Sequence, residues 1–240
     1  MRWIAMARRW PLALAFGSTL AMAKPIAFQD GWTVMAEYGT DTMREAQVFY
    51  APKYWWSGGL SFTRITAHDK RFERDIPNVQ LNYLVKRWNL PAAQANAFVW
   101  AGVGSARGYD TVEMDTGGHQ HIPGVVEVER VRFSGVTTPH YGGQVDYETR
   151  SVYTSLKTDW FRNSRFSHRV DTLQLGIAPY EHDYEDLAVW FLVQARRITG
   201  DVMDRRTEWI PMVRLFKGNF WIEAGANRDK RAQLMLMMNF

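Results

Sequence analysis

The stretch Arg231–Phe240, "RAQLMLMMNF", decides how the rest of the sequence is read. Counted by twos, Ala232, Leu234, Leu236, Met238 and Phe240 fall on one side, the period of a strand, and form a continuous apolar face that ends on an aromatic ring. Gln233, Met235, Met237 and Asn239 make a mixed face opposite. Terminal residues are usually polar and frayed, so an apolar strand here asks for apolar surroundings. Periodicity alone fits a core strand of a soluble sandwich as well as a strand facing lipid. The other end of the chain arbitrates.

That end reads "MRWIAMARRWPLALAFGSTLAMA". Arg2, Arg8 and Arg9 precede an apolar run from Pro11 to Ala21, and Ala21-Met22-Ala23 offers a small-x-small cleavage site before Lys24. The pattern is that of a secretory signal peptide over residues 1–23, and the run is far shorter than the roughly 20 residues a spanning helix needs. The mature part is then 24–240, long enough for one domain.

The whole chain has 29 Lys and Arg against 25 Asp and Glu; without the three leader arginines the balance is 26 against 25, or +1. The chain therefore offers no basic excess for nucleic acid. No later segment is apolar and uncharged for long enough to span a bilayer as a helix. With 0 Cys, disulfides, thiolate metal sites and thiol nucleophiles are excluded, although an exported chain would be free to form disulfides. Aromatics at 14% suit many strands and interfacial rings.

The mature chain breaks into short alternating runs separated by turn chemistry, with no helical stripe of useful length. In "GGQVDYET", Val145, Tyr147 and Thr149 oppose Gln144, Asp146 and Glu148. Val152, Thr154, Leu156, Thr158 and Trp160 oppose Tyr153, Ser155, Lys157 and Asp159, and Val79, Leu81, Tyr83 and Val85 alternate with Gln80, Asn82, Leu84 and Lys86. The spacing predicts strands over 32–40, 43–51, 57–67, 77–88, 95–107, 142–149, 152–160, 168–178, 186–198, 207–217, 219–227 and 231–240. Twelve is an even count, which brings both termini to one side, and runs of about 9–11 residues cross a bilayer when tilted. Connections alternate between short ("APKYW", "NLPAA", "TRS", "KGN") and longer (68–76, 108–141, 161–167, 199–206). The exception is "APYEHDYED", long where a short turn is expected. Residues 125–136, "VVEVERVRFSGV", also alternate, so they form either a hairpin arm within the long loop 108–141 or a change of strand count to ten or fourteen.

The leader, the cysteine-free alternating strands and the last strand ending in Phe240 resemble Gram-negative outer-membrane β-barrel proteins. The resemblance implies an all-β, antiparallel, up-and-down transmembrane barrel of about twelve strands, located in the cell outer membrane, with 108–141 as a long extracellular loop. It also implies that Leu234, Leu236, Met238 and Phe240 are the assembly signal read by the barrel-assembly machinery, although this strand carries Met where Tyr or Trp is usual. Closure is the physical requirement in lipid, since it alone satisfies every strand-edge N–H and C=O.

On the barrel reading Glu37, Gln80, Asn82, Lys86, Asp146, Glu148, Lys157, Asp159, Gln174 and Arg214 line the lumen. Both signs occur, and the first expectation is a porin-like narrow channel for small-solute uptake and transport, with a closed, salt-bridged plug whose barrel serves a structural or surface-interaction role as the alternative. No one-signed ladder names a solute, the oligomeric state is open, and no cofactor is implied. A lipid hydrolase is the third class: Ser167 and His168 adjoin, but neighbours on a strand face opposite ways, and the Ser and His two apart followed by Asn-Gly of the outer-membrane phospholipases are absent. His119 and His121, with Asp115, form a weak Zn or Cu motif in the long loop. Lys70, Arg71, Arg74, Arg162, Arg165, Arg205, Arg206, Arg228, Lys230 and Arg231 gather at the presumed outer ends, where outer-membrane lipids and the phosphates of lipopolysaccharide are natural partners. Trp55, Trp56, Trp88, Trp160, Phe161 and Trp209 lie near strand ends, as interfacial girdles would.

Overall fold

A computed structural model describes residues 31–113, 128–182, 185–200 and 206–240. Twelve strands occur: β1 (Gly31–Gly39), β2 (Met43–Lys53), β3 (Trp56–Thr66), β4 (Phe72–Leu90), β5 (Ala93–Glu113), β6 (Val128–Thr149), β7 (Val152–Arg162), β8 (Ser167–Ile177), β9 (Ala188–Gly200), β10 (Thr207–Lys217), β11 (Phe220–Ala226) and β12 (Ala232–Asn239). Each pairs antiparallel with its sequence neighbours, and β1 pairs with β12 to close an up-and-down barrel. The closing ladder runs from Thr33↔Asn239 to Gly39↔Gln233. Phe240 extends it by main chain alone: its N–H donates to Trp32 O at 2.9 Å, and the Trp32 N–H donates to Phe240 O at 2.6 Å.

Alternation sets which side of each strand faces in. Along β12, Gln233, Met235 and Met237 are buried inside while Leu234, Leu236, Met238 and Phe240 are exposed outside. The same division holds on the other strands, with Val79, Leu81, Val99, Val103, Val145, Leu156, Leu175, Val193 and Val213 all exposed on the exterior.

Two bulges change the expected assignment. The β4–β5 register shifts between Leu84 and Lys86. Leu84 is buried, Lys86 is exposed, and Arg87 takes the inward place with its Nε donating to Asn96 Oδ1 at 2.8 Å. Lys86 therefore does not line the interior, because one extra residue reverses every later side chain. The β5–β6 register shifts near Ala106 and Gly108, opposite Gly135 at φ 71°, a value a bulge glycine adopts without steric cost. Phe133 and Val136, on either side of it, both pack against the interior cluster.

This second bulge corrects the loop assignment. Residues 108–113 and 128–141 are not loop: they continue β5 and β6 as a tall hairpin, which is the arm expected within 125–136, and the count stays at twelve. Glycine, threonine and proline in "SGVTTPHYGG" read as turn chemistry, yet they pair regularly with β5 down to His140↔Gly102. The connection 178–187 remains long at the end of the barrel that carries residues 31 and 240, called here the turn end. Between its described ends the Tyr180 hydroxyl donates to Leu187 O at 2.5 Å.

Candidate functional site: a spanned barrel interior

The interior is filled by side chains that reach across it. On β7, Lys157 Nζ lies 3.2 Å from Asp159 Oδ2 and 3.8 Å from Glu45 Oε2 on β2, at the opposite wall. Asp159 Oδ1 accepts from Trp100 Nε1 at 2.8 Å and from His140 Nε2 at 2.9 Å. His140 in turn stacks on Phe161 at 4.2 Å and 5°. A carboxylate that receives three donors from β5, β6 and β7 ties those strands together through the lumen.

A second network climbs the wall made by β8–β12 and β1. Arg214 Nε donates to Glu223 Oε1 at 3.0 Å, beside Trp221 Nε1 at 3.0 Å, and its guanidinium lies over the Tyr153 and Trp221 rings at 4.3 and 4.4 Å. Gln174 Nε2 donates to Glu223 Oε2 at 3.2 Å and to Gln194 Oε1 at 2.8 Å. Gln194 Nε2 donates to Gln233 at 3.1 Å, and Gln233 Nε2 to Glu37 Oε1 at 3.1 Å. Arg196 then bridges Glu37 at 3.3 Å, Thr40 at 2.6 Å and Glu208 at 3.4 Å.

Smaller groups hold the remaining wall. Gln80 Nε2 donates to Asn82 Oδ1 at 2.6 Å, and Asn82 Nδ2 to Ser57 Oγ at 3.1 Å. Asp146 accepts from Asn96 at 2.7 Å and Gln144 at 3.0 Å. Glu148 is buried, and its Oε2 has no hydrogen-bond partner among the described residues.

Apolar clusters lie toward both ends. At the loop end, Phe72, Ile76, Ala106, Phe161, Phe166, Val170 and Ile198 form one buried cluster. Arg74 is buried within it, its guanidinium 4.8 Å from the Phe72 ring and 5.1 Å from Phe133 and Phe166, and it pairs with Asp110. At the turn end, Tyr153, Trp190, Leu192, Ile210 and Met212 form another, with Ala178 and Ala188 from either side of the long connection. Between them a cavity of about 60 Å³ is lined by Glu37, Glu45, Trp100, His140, Lys157 and Arg196 among others. That is room for a few waters.

Of the residues expected inside, Gln80, Asn82, Asp146, Glu148, Asp159, Gln174 and Arg214 are buried there, Glu37 and Lys157 are half-buried there, and Lys86 is outside. The expectation missed Glu45, His140, Arg196 and Glu223, and also the inward aromatic rings. Two rim and girdle assignments also change: Arg74 is buried in the interior cluster, and Phe161 faces in while its neighbour Trp160 faces out under Arg169 at 5.1 Å. Arg162, Arg165, Arg206, Arg228 and Lys230 are exposed, and Arg231 bonds to His68. The His168 ring is sandwiched between Phe72 at 5.2 Å and Phe166 at 4.9 Å, and neither of its nitrogens bonds to Ser167 or any other described residue, so the pair forms no nucleophile and base. His119, His121 and Asp115, the leader 1–23 and Arg205 lie outside the described residues. No group of three potential metal ligands occurs among the described residues.

Comparison with protein-family models and with curated proteins finds no match for the chain.

Proposed function

We propose that this chain is an exported outer-membrane β-barrel whose lumen is closed, and that it acts through its surfaces. The observation that carries the reading is its inverted burial. Leu60, Val79, Leu81, Ile177 and Trp209 are about 60% exposed on the exterior, whereas Asp159, Arg196, Arg214 and Glu223 are at most 3% exposed within. In water that exterior is a large apolar patch wrapped around the molecule, a liability for a soluble monomer; in lipid it is the solvated surface. Exposed Trp32, Tyr50, Trp55 and Tyr83 toward the turn end, and Tyr141 and Trp209 toward the other, suit the two interfaces. The leader and the apolar last strand agree with export and barrel assembly.

Closure is favoured over a narrow channel because the strut Lys157–Glu45 joins opposite walls and both ends carry apolar clusters. The channel reading keeps one supporting observation, the small polar cavity, which would serve as a constriction only if the cap at the loop end moved aside. Planar-bilayer recording after heat-modifiable gel migration of the outer-membrane fraction tests both points. The expected result is a fast-migrating folded band and no conductance steps above baseline. A protein recovered in the soluble fraction refutes the location, and steady unitary conductance of the wild type refutes the closure.

A further inference from the structure

The exterior is not uniform. On the sector formed by β1–β5, paired residues form rows that run around the barrel. Nearest the loop end, Tyr38↔Arg44↔Arg64↔Asp75↔Arg107 make one row. Two residues down each strand, Ala36↔Ala46↔Phe62↔Pro77 make the next, and below it Val34↔Val48↔Leu60↔Val79↔Val103 the third. The small residues Ala36 and Ala46 leave a dent that the flanking side chains turn into an open apolar groove of about 620 Å³.

Charge sits at one end of this groove only. Arg64 is already engaged, donating through Nε and Nη2 to Asp75 at 2.5 and 2.8 Å. Arg107 is 67% exposed and reaches Asp75 only at 3.5 Å. Arg44 is exposed, packs over the Tyr38 ring at 5.1 Å, and has no ion pair among the described residues. Above them on the outer face of the β5–β6 arm, Arg130 and Arg132 are exposed and likewise without ion pairs among the described residues. Asp75 is shared by Arg64 and Arg107, Glu73 lies 3.9 Å from Arg64, and Asp110 pairs with Arg74, which leaves Arg44, Arg130 and Arg132 without a carboxylate partner among the described residues.

An apolar groove along the strands, opening beneath an unpaired Arg44 and a largely exposed Arg107, matches an amphiphile with acyl chains at one end and phosphate at the other. Guanidinium groups hold phosphate by paired charge-assisted hydrogen bonds, and the groove holds the chains by shape. We propose that this sector binds a phosphorylated, multiply acylated glycolipid. Its phosphates engage Arg44, Arg107 and Arg132, and one acyl chain lies over Ala36 and Ala46. The inference rests on the outer-membrane reading above and assigns that membrane's phosphorylated lipid to one face of the barrel.

Native mass spectrometry of the full chain in detergent tests it, with diphosphoryl lipid A, monophosphoryl lipid A and a neutral diacylglycerol as competing probes. The expected order is diphosphoryl, then monophosphoryl, then neutral, with retention of the first reduced at least tenfold in Arg44→Gln/Arg107→Gln. Ala46→Phe fills the groove without touching charge and is expected to reduce retention of the two lipid A forms alike. Heat-modifiable migration checks that each variant is folded. A folded wild-type barrel that holds the three lipids equally, variants that retain lipid A as the wild type does, or a bound protein that disappears in the same variants each overturns this inference alone. Recovery of the wild type outside the outer membrane overturns it together with the reading beneath it.

Discussion

Lys157→Met removes the cation from the strut across the barrel while keeping the length of the side chain. In the wild type the ammonium serves two carboxylates, Asp159 at 3.2 Å and Glu45 at 3.8 Å, whose side chains are 5% and 2% exposed. Asp159 keeps its bonds from Trp100 and His140 in the variant. Glu45 is worse placed: its Oε1 accepts from Gln47 at 2.6 Å, but its Oε2 has no hydrogen bond and depends on the ammonium for compensation. Removing one member of a buried ion pair costs about 3–5 kcal/mol because the other charge stays buried. The lysine side chain is 25% exposed within the water-accommodating cavity, which places the expected loss at the lower end, about 3 kcal/mol or roughly a hundredfold in the unfolding equilibrium. The assay is urea unfolding of the refolded barrel in detergent micelles, read by tryptophan fluorescence and by the folded band on gels. Glu45→Gln/Lys157→Met also removes the Glu45 charge and is expected to recover at least half of the loss, since Asp159 keeps its donors Trp100 and His140 while Glu45 has no donor on Oε2. A loss below about 1 kcal/mol in the single variant, or a double variant no better than the single, would falsify the strut as a compensated pair.

Trp100→Phe keeps the ring but deletes the donor to Asp159 at 2.8 Å; a bond to a charged acceptor makes the expected loss about 2 kcal/mol in the same unfolding assay. Gly135→Val forces a β-branched residue into φ 71° and is expected to cost about 1–2 kcal/mol, with increased protease cleavage within the β5–β6 arm as the local readout. Deleting Phe240 removes the two main-chain bonds to Trp32 at 2.9 and 2.6 Å that finish the β1–β12 ladder; the expected result is about 1–2 kcal/mol of lost stability and a severalfold weaker folded band in membranes. An undiminished band in that variant would remove Phe240 from the assembly signal.

Strand number and closure were legible because alternation repeats locally and turn chemistry punctuates it. The expected run 152–160 and the observed β7 at Val152–Arg162 differ only at one end, since every second residue from Val152 to Trp160 carries the same message. A bulge leaves no such message. "LVKRW" gives no sign that Val85 and Lys86 both stay outside and Arg87 turns in, and that single insertion moved Lys86 from lumen to surface. The upper half of β6 was hidden by the opposite problem, glycines and prolines that elsewhere mark loops being tolerated where β5 pairs with them. The interior was only half legible. Inward polar residues stand out against apolar neighbours, but inward Trp100, Phe161, Trp190 and Trp221 sit among outward apolar residues and blur the period. Cross-barrel partners such as Glu45 and Lys157, separated by five strands, have no sequence signature at all.

On the outer-membrane proposal, the packed interior follows from where a barrel in lipid can find stability. Its exterior gains little from burial, because acyl chains are as apolar as the leucines that face them. Two sources remain. One is the ladder, which closure between β1 and β12 completes. The other is the interior, where water can be displaced by packing and by paired charge. This chain uses both, with apolar clusters at each end and bonded carboxylates between them. An open channel of the same strand number would have to give up the second source and hold itself by the ladder alone. On the closed-lumen proposal the strut and the apolar clusters act together: variants that weaken the strut are expected to lower stability first and to admit ions only once a cluster also yields. Conductance appearing in Lys157→Met with unchanged stability would break that link and return the lumen to the role of a gated path.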